Sequence, residues 1–379
     1  MKKIKTLISI FFCLSFTAVA QTDLAQALRA AGFEQVHIND DEDTLKVFFE
    51  HRNFRNPYAS ISYAIKISEK YAKQPLKFVP LFHNRPMGVY DGVNMSFQKV
   101  GRPDRKWLNE ANSMRDYRFS FRLMPDFTAD FGFYEEPIAN RTNLILDTRI
   151  YLFRGLSLHT GLLIPINNTL DTRSMDPSLG PTHLSYFYSN SSRHFFLAHA
   201  GLFLSDRYGV EFQYRYAPLD HKLSLGLSGS LTGIYFFDEN TMYKQPVQSW
   251  TGLMDLEWRL PITGLVAKAT AGQFLFGDKG IRFDLLRQYG SIDFGFHFSK
   301  TDFGTAVGFQ IAFPFFPGKL IRTRDFELRT TEEFRWEYSY FRLDPVGRNF
   351  RTGMPRLDDI VRQYQTTFIQ DQRKEQLQR

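Results

Sequence analysis

From Val93 to Tyr340 apolar and polar residues alternate nearly one for one, and this period of two constrains the chain more than any other feature. Tyr117, Phe119, Phe121 and Leu123 enclose Arg118, Ser120 and Arg122. Val210, Phe212, Tyr214 and Tyr216 enclose Glu211, Gln213 and Arg215. Leu256, Trp258 and Leu260 enclose Glu257 and Arg259, and Ile292, Phe294, Phe296 and Phe298 enclose Asp293, Gly295 and His297. Successive side chains of a strand point to opposite faces, so each segment has one greasy face and one polar or tiny face. A soluble sandwich also alternates, but with shorter strands, aromatics inside and charges outside. Here the segments run to about ten residues, the length a tilted strand needs to cross a bilayer. Closing such strands into a barrel satisfies the backbone groups for which lipid offers no partners. Aromatic residues at 16% of the chain, with 39 Phe and 18 Tyr, suit a wall that presents rings to lipid and its interfaces.

The expected fold is therefore mainly β, an antiparallel transmembrane β-barrel of about 12–16 strands over residues 91–341, with a small N-terminal α/β domain in front. Pro125-Asp126 reads as a tight turn, whereas Asn167 to Arg193 and Asp238 to Gln248 read as long polar loops. That asymmetry matches tight periplasmic turns and longer extracellular loops.

Residues 1–20 read as a signal peptide. Lys2, Lys3 and Lys5 precede the apolar run Thr6 to Phe16, and Ala18-Val19-Ala20 supplies a small-x-small cleavage site. The one cysteine, Cys13, lies inside that run, so the mature chain is expected to have no disulfide, thiolate metal site or cysteine nucleophile. The net charge of +7 comes without a basic run or a phosphate-binding loop, which argues against nucleic acid as a partner.

Residues 21–90 carry a different pattern. Leu24, Ala27, Leu28 and Ala31 recur at helical spacing, and Gly32 stops that helix. Phe33 to Ile38 and Thr44 to Glu50 read as strands, Pro57 opens a second helix, and Leu76 to Phe82 reads as a third strand. This α/β unit is expected on the periplasmic side. After Tyr340 the chain turns polar, and residues 342–379 read as a charged C-terminal tail on that same side.

The polar faces of the alternating segments nominate a lumen lining: Arg118, Arg122, Asp130, Asp147, Arg149, Glu211, Arg215, Glu257, Arg259, Arg282 and Asp284. These side chains can pair across neighbouring strands, or line a route for a hydrated polymer or a small solute. A hydrolase in the wall would need a nucleophile beside a base. Ser157 and His159 share a strand face, but no GxSxG accompanies them. Neither an enzyme, nor a cofactor, nor a metal centre is expected.

Gly272-Gln273-Phe274-Leu275-Phe276-Gly277-Asp278-Lys279-Gly280 leads to Arg287-Gln288-Tyr289-Gly290, Phe294-Gly295-Phe296, Gly308-Phe309, Phe313-Pro314 and a Pro317-Gly318-Lys319 turn. This string resembles the barrel region of the YjbH-like family of outer-membrane proteins tied to exopolysaccharide and capsule production. Leu28, Gly32-Phe33, Leu45-Lys46-Val47, Glu50, Arg52 and Phe54-Arg55 resemble that family's N-terminal stretch. Gly277, Asp278 and Gly280 make physical sense as a structural turn, with Asp bonding nearby backbone and Gly supplying positive φ. The resemblance implies a non-enzymatic part in export or surface assembly of an exopolysaccharide or capsule. Its implied partners are outer-membrane lipid, periplasmic or outer-membrane export proteins, and the polysaccharide. The competing reading is a small-solute porin or uptake barrel.

Overall fold

The computed structural model describes residues 22–41, 44–72, 74–111, 116–132, 137–238, 241–316, 320–341 and 345–377. The leader, Cys13 and the Pro317-Gly318-Lys319 turn lie outside these residues.

The N-terminal unit opens with helix α1 (22–30), ended by Gly32 at φ +103°. Strands β1 (Glu34–Asp41) and β2 (Thr44–Glu50) pair antiparallel. Helix α2 (Pro57–Ser68) then carries the chain over to β3 (Leu76–Phe82), parallel to β2. Asn56 caps α2 by accepting from Tyr58 N, with Pro57 at the first helical position. The short strands β4 (Arg85–Pro86), β5 (Val89–Asp91) and β6 (Phe97–Gln98) complete the sheet. Helix α3 (Arg102–Ala111) packs Trp107 and Leu108 against its Phe48 side. The wall strands thus begin later than residue 91. The buried residues of α3, Asp104 and Leu108, are four apart as on one helix face, and strand alternation counted from Val93 runs across them.

The wall itself consists of β7 (Phe119–Phe131), β8 (Ile138–Phe153), β9 (Leu156–Asn168), β11 (Thr182–Asn190), β12 (His194–Phe203), β13 (Arg207–Tyr216), β14 (Leu223–Asp238), β16 (Ser249–Arg259), β17 (Leu265–Gln273), β18 (Lys279–Tyr289), β19 (Ile292–Thr301) and β20 (Gly304–Phe313), closed by β22 (Phe326–Thr330) and β23 (Phe334–Tyr340). Short pieces β10 (Ser178–Leu179), β15 (Thr241–Lys244) and β21 (Leu320–Arg322) extend β9, β14 and β22. All neighbours pair antiparallel up to one seam. There β22 runs parallel to β7, from Phe326 opposite Phe119 to Thr330 opposite Leu123. β23 continues the same line, pairing with β20 and setting Trp336 and Tyr338 against Phe127 and Phe131. The sheet closes on itself.

Two segments read as connections are wall. β7 runs straight through Pro125-Asp126, opposite Leu144 and Asn143. β11 lies within the stretch expected as one long loop. Its His183, Ser185 and Phe187 are buried on the inner face while Leu184 and Tyr186 are exposed outside, so polar composition concealed a regular alternation.

Counting β22 and β23 as one interrupted strand, the described wall has thirteen staves. An odd number forces the first and last to run the same way, hence the parallel seam. It also leaves the chain at the mouth opposite the N-terminal unit. From that distal mouth residues 345–377 return through the lumen. Ser205 and Arg351 exchange hydrogen bonds, Ser185 donates to Met354 Sδ, and Leu357 N donates to Gln213. Helix α4 (Leu357–Gln363) packs Leu357, Ile360 and Val361 on Phe187, Phe195 and Leu197 of the inner wall. Helix α5 (Thr366–Leu377) emerges at the proximal mouth, where Ile369 joins Leu28, Phe33, Ile61 and Phe78 in the N-terminal core. Tyr90 donates to Tyr364 O at 2.7 Å, and Tyr58 to Gln376 at 2.5 Å. The segment read as a polar tail is thus an internal strap, with Asp358, Asp359 and Arg362 buried among wall charges rather than solvated.

Leu197→Ala removes an inward side chain beneath α4 and is expected to cost about 2–5 kcal/mol. Limited proteolysis within 345–365 should accelerate in Leu197→Ala and stay unchanged in Leu225→Ala, whose side chain points outward. Equal cleavage in both would remove the strap from the lumen.

Candidate functional site: a charged lumen crossed by the chain's own C-terminal strap

The polar faces of the staves turn inward and their apolar faces outward. Ser157, His159, Arg215, Thr232, Arg259 and Ser299 are buried, while Phe212, Leu225, Trp258, Phe283, Phe296 and Val307 are exposed.

Of the residues nominated from sequence, ten face the lumen or its distal mouth. Arg122 pairs with Asp147 and, at 2.8 Å, with Glu332, which Arg149 also approaches at 3.3 Å. Arg215 pairs with Asp255 across β14, and donates to Ser224 at 2.7 Å. Arg282 joins Asp284 and Glu337, both at 2.7 Å. Arg259 donates to Gln288 at 2.7 Å and lies over the Phe368 ring. Glu211 and Glu257 reach the strap, at 3.6 Å from Arg356 and 2.6 Å from Arg362. Asp130 lies exposed near the distal rim. Arg118 does not line the lumen. It precedes β7, and its N–H donates to Glu34 of the N-terminal unit at 2.9 Å. Strand alternation counted one residue too far placed it in the wall.

Sequence reading missed the other half of the site, the strap's own charges. Asp358 takes Lys268 at 2.5 Å, Asp359 takes Arg335 at 3.1 Å, and Arg362 holds Glu257, Asp358 and Asp359 together. The apolar side of α4 meets inward Phe195 and Leu197. Here the run Phe195-Phe196-Leu197-Ala198 is apolar on both faces, a legible sign that something inside the barrel covers it.

The motif turn has more reach than a local structural turn. Phe276 and Gly277 take φ +62° and +79°, and a Cβ on Gly280 would sit 2.3 Å from Lys300 O. Asp278, fully buried, accepts from Phe303 N at 3.2 Å and from Gly347 N at 2.7 Å. It therefore ties two distal turns to the point where the strap enters the lumen.

At the proximal mouth Glu50 accepts from His83 N, Asn84 N and the Tyr117 hydroxyl. Burial nonetheless pushes its carboxyl above the usual range. Arg55 bridges Asp293 and Glu333, each at 2.5 Å, fastening the N-terminal unit to the wall. Ser157 Oγ and His159 Nε2 are 3.0 Å apart, as their shared face predicts. They are buried in a run of rings in which His83, His159 and His183 stack and His199 meets His183 edge-on. Burial, with Arg149 and Arg52 nearby, holds the His83 imidazole well below its ordinary range. Among the described residues no group of three or more His, Cys, Asp or Glu could hold a metal ion.

Residues 85–310, more than half of the chain, match the family model described as exopolysaccharide biosynthesis protein YbjH. The chain belongs to the YjbH family. No curated protein matches it. The YjbH match takes in the His83-side mouth from Arg85, most of the wall and the Asp278 turn, but ends before the seam and the strap.

Between the strap and the wall lies a cavity of about 670 Å³. Cations and carboxylates line it in equal number, so it has no overall preference for one sign of charge.

Arg362→Ala would leave Glu257, Asp358 and Asp359 buried together without their shared cation. A loss of roughly 3–5 kcal/mol is expected in denaturant unfolding, largely recovered by adding Glu257→Gln. Additive losses in the double variant would break the proposed lock.

Proposed function

We propose that this chain is a non-enzymatic outer-membrane β-barrel that takes part in export or surface assembly of an exopolysaccharide. The family supplies the exopolysaccharide association. The membrane reading rests on one observation, the inside-out wall: ion pairs and histidines within, Phe, Leu, Trp and Val without. In water such an outer face would aggregate; in lipid it is the stable arrangement. The N-terminal unit sits at the mouth with tight connections such as Arg154-Gly155 and Gly290-Ser291, and the longer segments 169–181 and 241–248 lie at the other. That asymmetry supports a periplasmic N-terminal unit, with α5 beside it and available to export-machinery proteins. A steady small-solute pore is the competing reading, and the strap lying along the lumen argues against it. Ser157 and His159, buried beneath His83, have no open approach for a substrate, which supports a role without catalysis.

Deleting the gene should abolish surface exopolysaccharide, and a Ser157→Ala/His159→Ala chain found in the outer-membrane fraction should restore it. Normal polymer in the deletion strain would refute the role. Restoration that requires Ser157 and His159 would point to a hydrolase.

A further inference from the structure

The charges lining the cavity are nearly all matched. Every charged lining group except Asp130, Arg207 and Arg348 has an opposite charge within 4 Å among the described residues. Two of the three exceptions are arginines, and both lie against one distal turn: Arg348 O accepts from Leu275 N at 3.0 Å, and Arg207 lies over the next residue's ring. Arg207, at the start of β13, is buried, with 4% of its surface exposed. Its guanidinium lies 5.1 Å over the ring of Phe276, which is half exposed on the Asp278 turn. The nearest carboxylate in sequence, Asp206, is occupied by Arg173 at 2.7 Å and Arg141 at 3.5 Å. Arg348 projects from the strap one residue beyond Gly347, the residue that Asp278 holds.

A buried guanidinium with no ion-pair partner within 4 Å, near a second one that is exposed, is stabilised when an anion completes it. Guanidinium forks match carboxylate and phosphate oxygens, and an aromatic ring beside them offers a face to the C–H side of a sugar. Elsewhere the lining is self-neutralised, so the anion preference is confined to this one place. We infer that Arg207 and Arg348, with Phe276 as platform, form a subsite for the anionic group of an acidic saccharide unit, at the distal mouth where the strap enters. The subsite rests on the exopolysaccharide reading for its sugar, but its anion requirement stands on the two arginines alone. Because Arg348 belongs to the strap and Arg207 to the wall, a bound anion would bridge them and fasten the strap at that mouth.

The test uses the full chain in detergent micelles and three probes: oligogalacturonate for a carboxylate, glucose 1-phosphate for a phosphate, and a neutral malto-oligosaccharide. Titration calorimetry should show one or both anionic probes binding, with salt-sensitive affinity at least about tenfold above that of the neutral probe, the scale of one charge-assisted contact. Arg207→Gln/Arg348→Gln should lose that advantage, and Phe276→Ala should weaken binding of the sugar-bearing probes. Which anionic probe binds identifies the acid. Binding of neither, or binding unchanged in the double variant, overturns the subsite. Both outcomes are read on purified protein, so a deletion strain with normal exopolysaccharide would refute the cellular role without touching the subsite.

Discussion

An antiparallel sheet that closes with an odd number of staves cannot return its chain to the side on which it began. Everything distinctive in this molecule follows from that parity. β7 and the β22–β23 line run the same way and meet in a parallel seam, and Tyr340 ends at the mouth opposite the N-terminal unit. A C-terminal segment that is to pack with the N-terminal core must then cross the barrel, and the lumen is the route it takes. Ile369 in the core of the α/β unit and Gly347 on Asp278 mark the two ends of that crossing.

The crossing has two kinds of grip. On one side α4 buries apolar side chains against Phe187, Phe195 and Leu197, which contributes most of the favourable free energy. On the other, Asp358, Asp359 and Arg362 mesh with Lys268, Arg335 and Glu257. Buried ion pairs of this kind add little net stability over an apolar filling, because desolvation offsets their attraction. What they do is penalise any shift of the strap by a turn, since each misplaced charge would be left unpaired in a dry interior. Position is thus set by charge and adhesion by packing. The cavity beside the strap leaves room for rearrangement without unfolding the wall.

Much of the wall was legible because period-two alternation survives any tertiary context that keeps one face in apolar and one in polar surroundings. The same logic located Arg122, Arg215, Glu257 and Arg282 on the inner face. It failed where alternation is mimicked or masked: Arg118 lies one residue short of the first stave, Pro125-Asp126 resembles a turn but continues a strand, and β11 hides in polar composition. The strap was illegible for a sharper reason. Asp358, Asp359 and Arg362 look solvent-loving until their partners are known: Lys268 and Glu257 lie some hundred residues away on β17 and β16, and Arg335 lies on the seam strand. Arg207 escaped notice likewise, since a missing counter-ion shows only in three dimensions.

In this member of the YjbH family the lumen is occupied by the chain's own strap. The most direct test is a cross-link between wall and strap, using the 3.3 Å approach of Ser185 Oγ to Met354 Sδ. In a Cys13→Ser chain, Ser185→Cys and Met354→Cys should be joined within one chain by a short thiol-to-thiol cross-linker, seen as a mobility shift that either single variant lacks. If both cysteines instead stay unlinked and react freely with a membrane-impermeant maleimide, the strap does not run through the barrel.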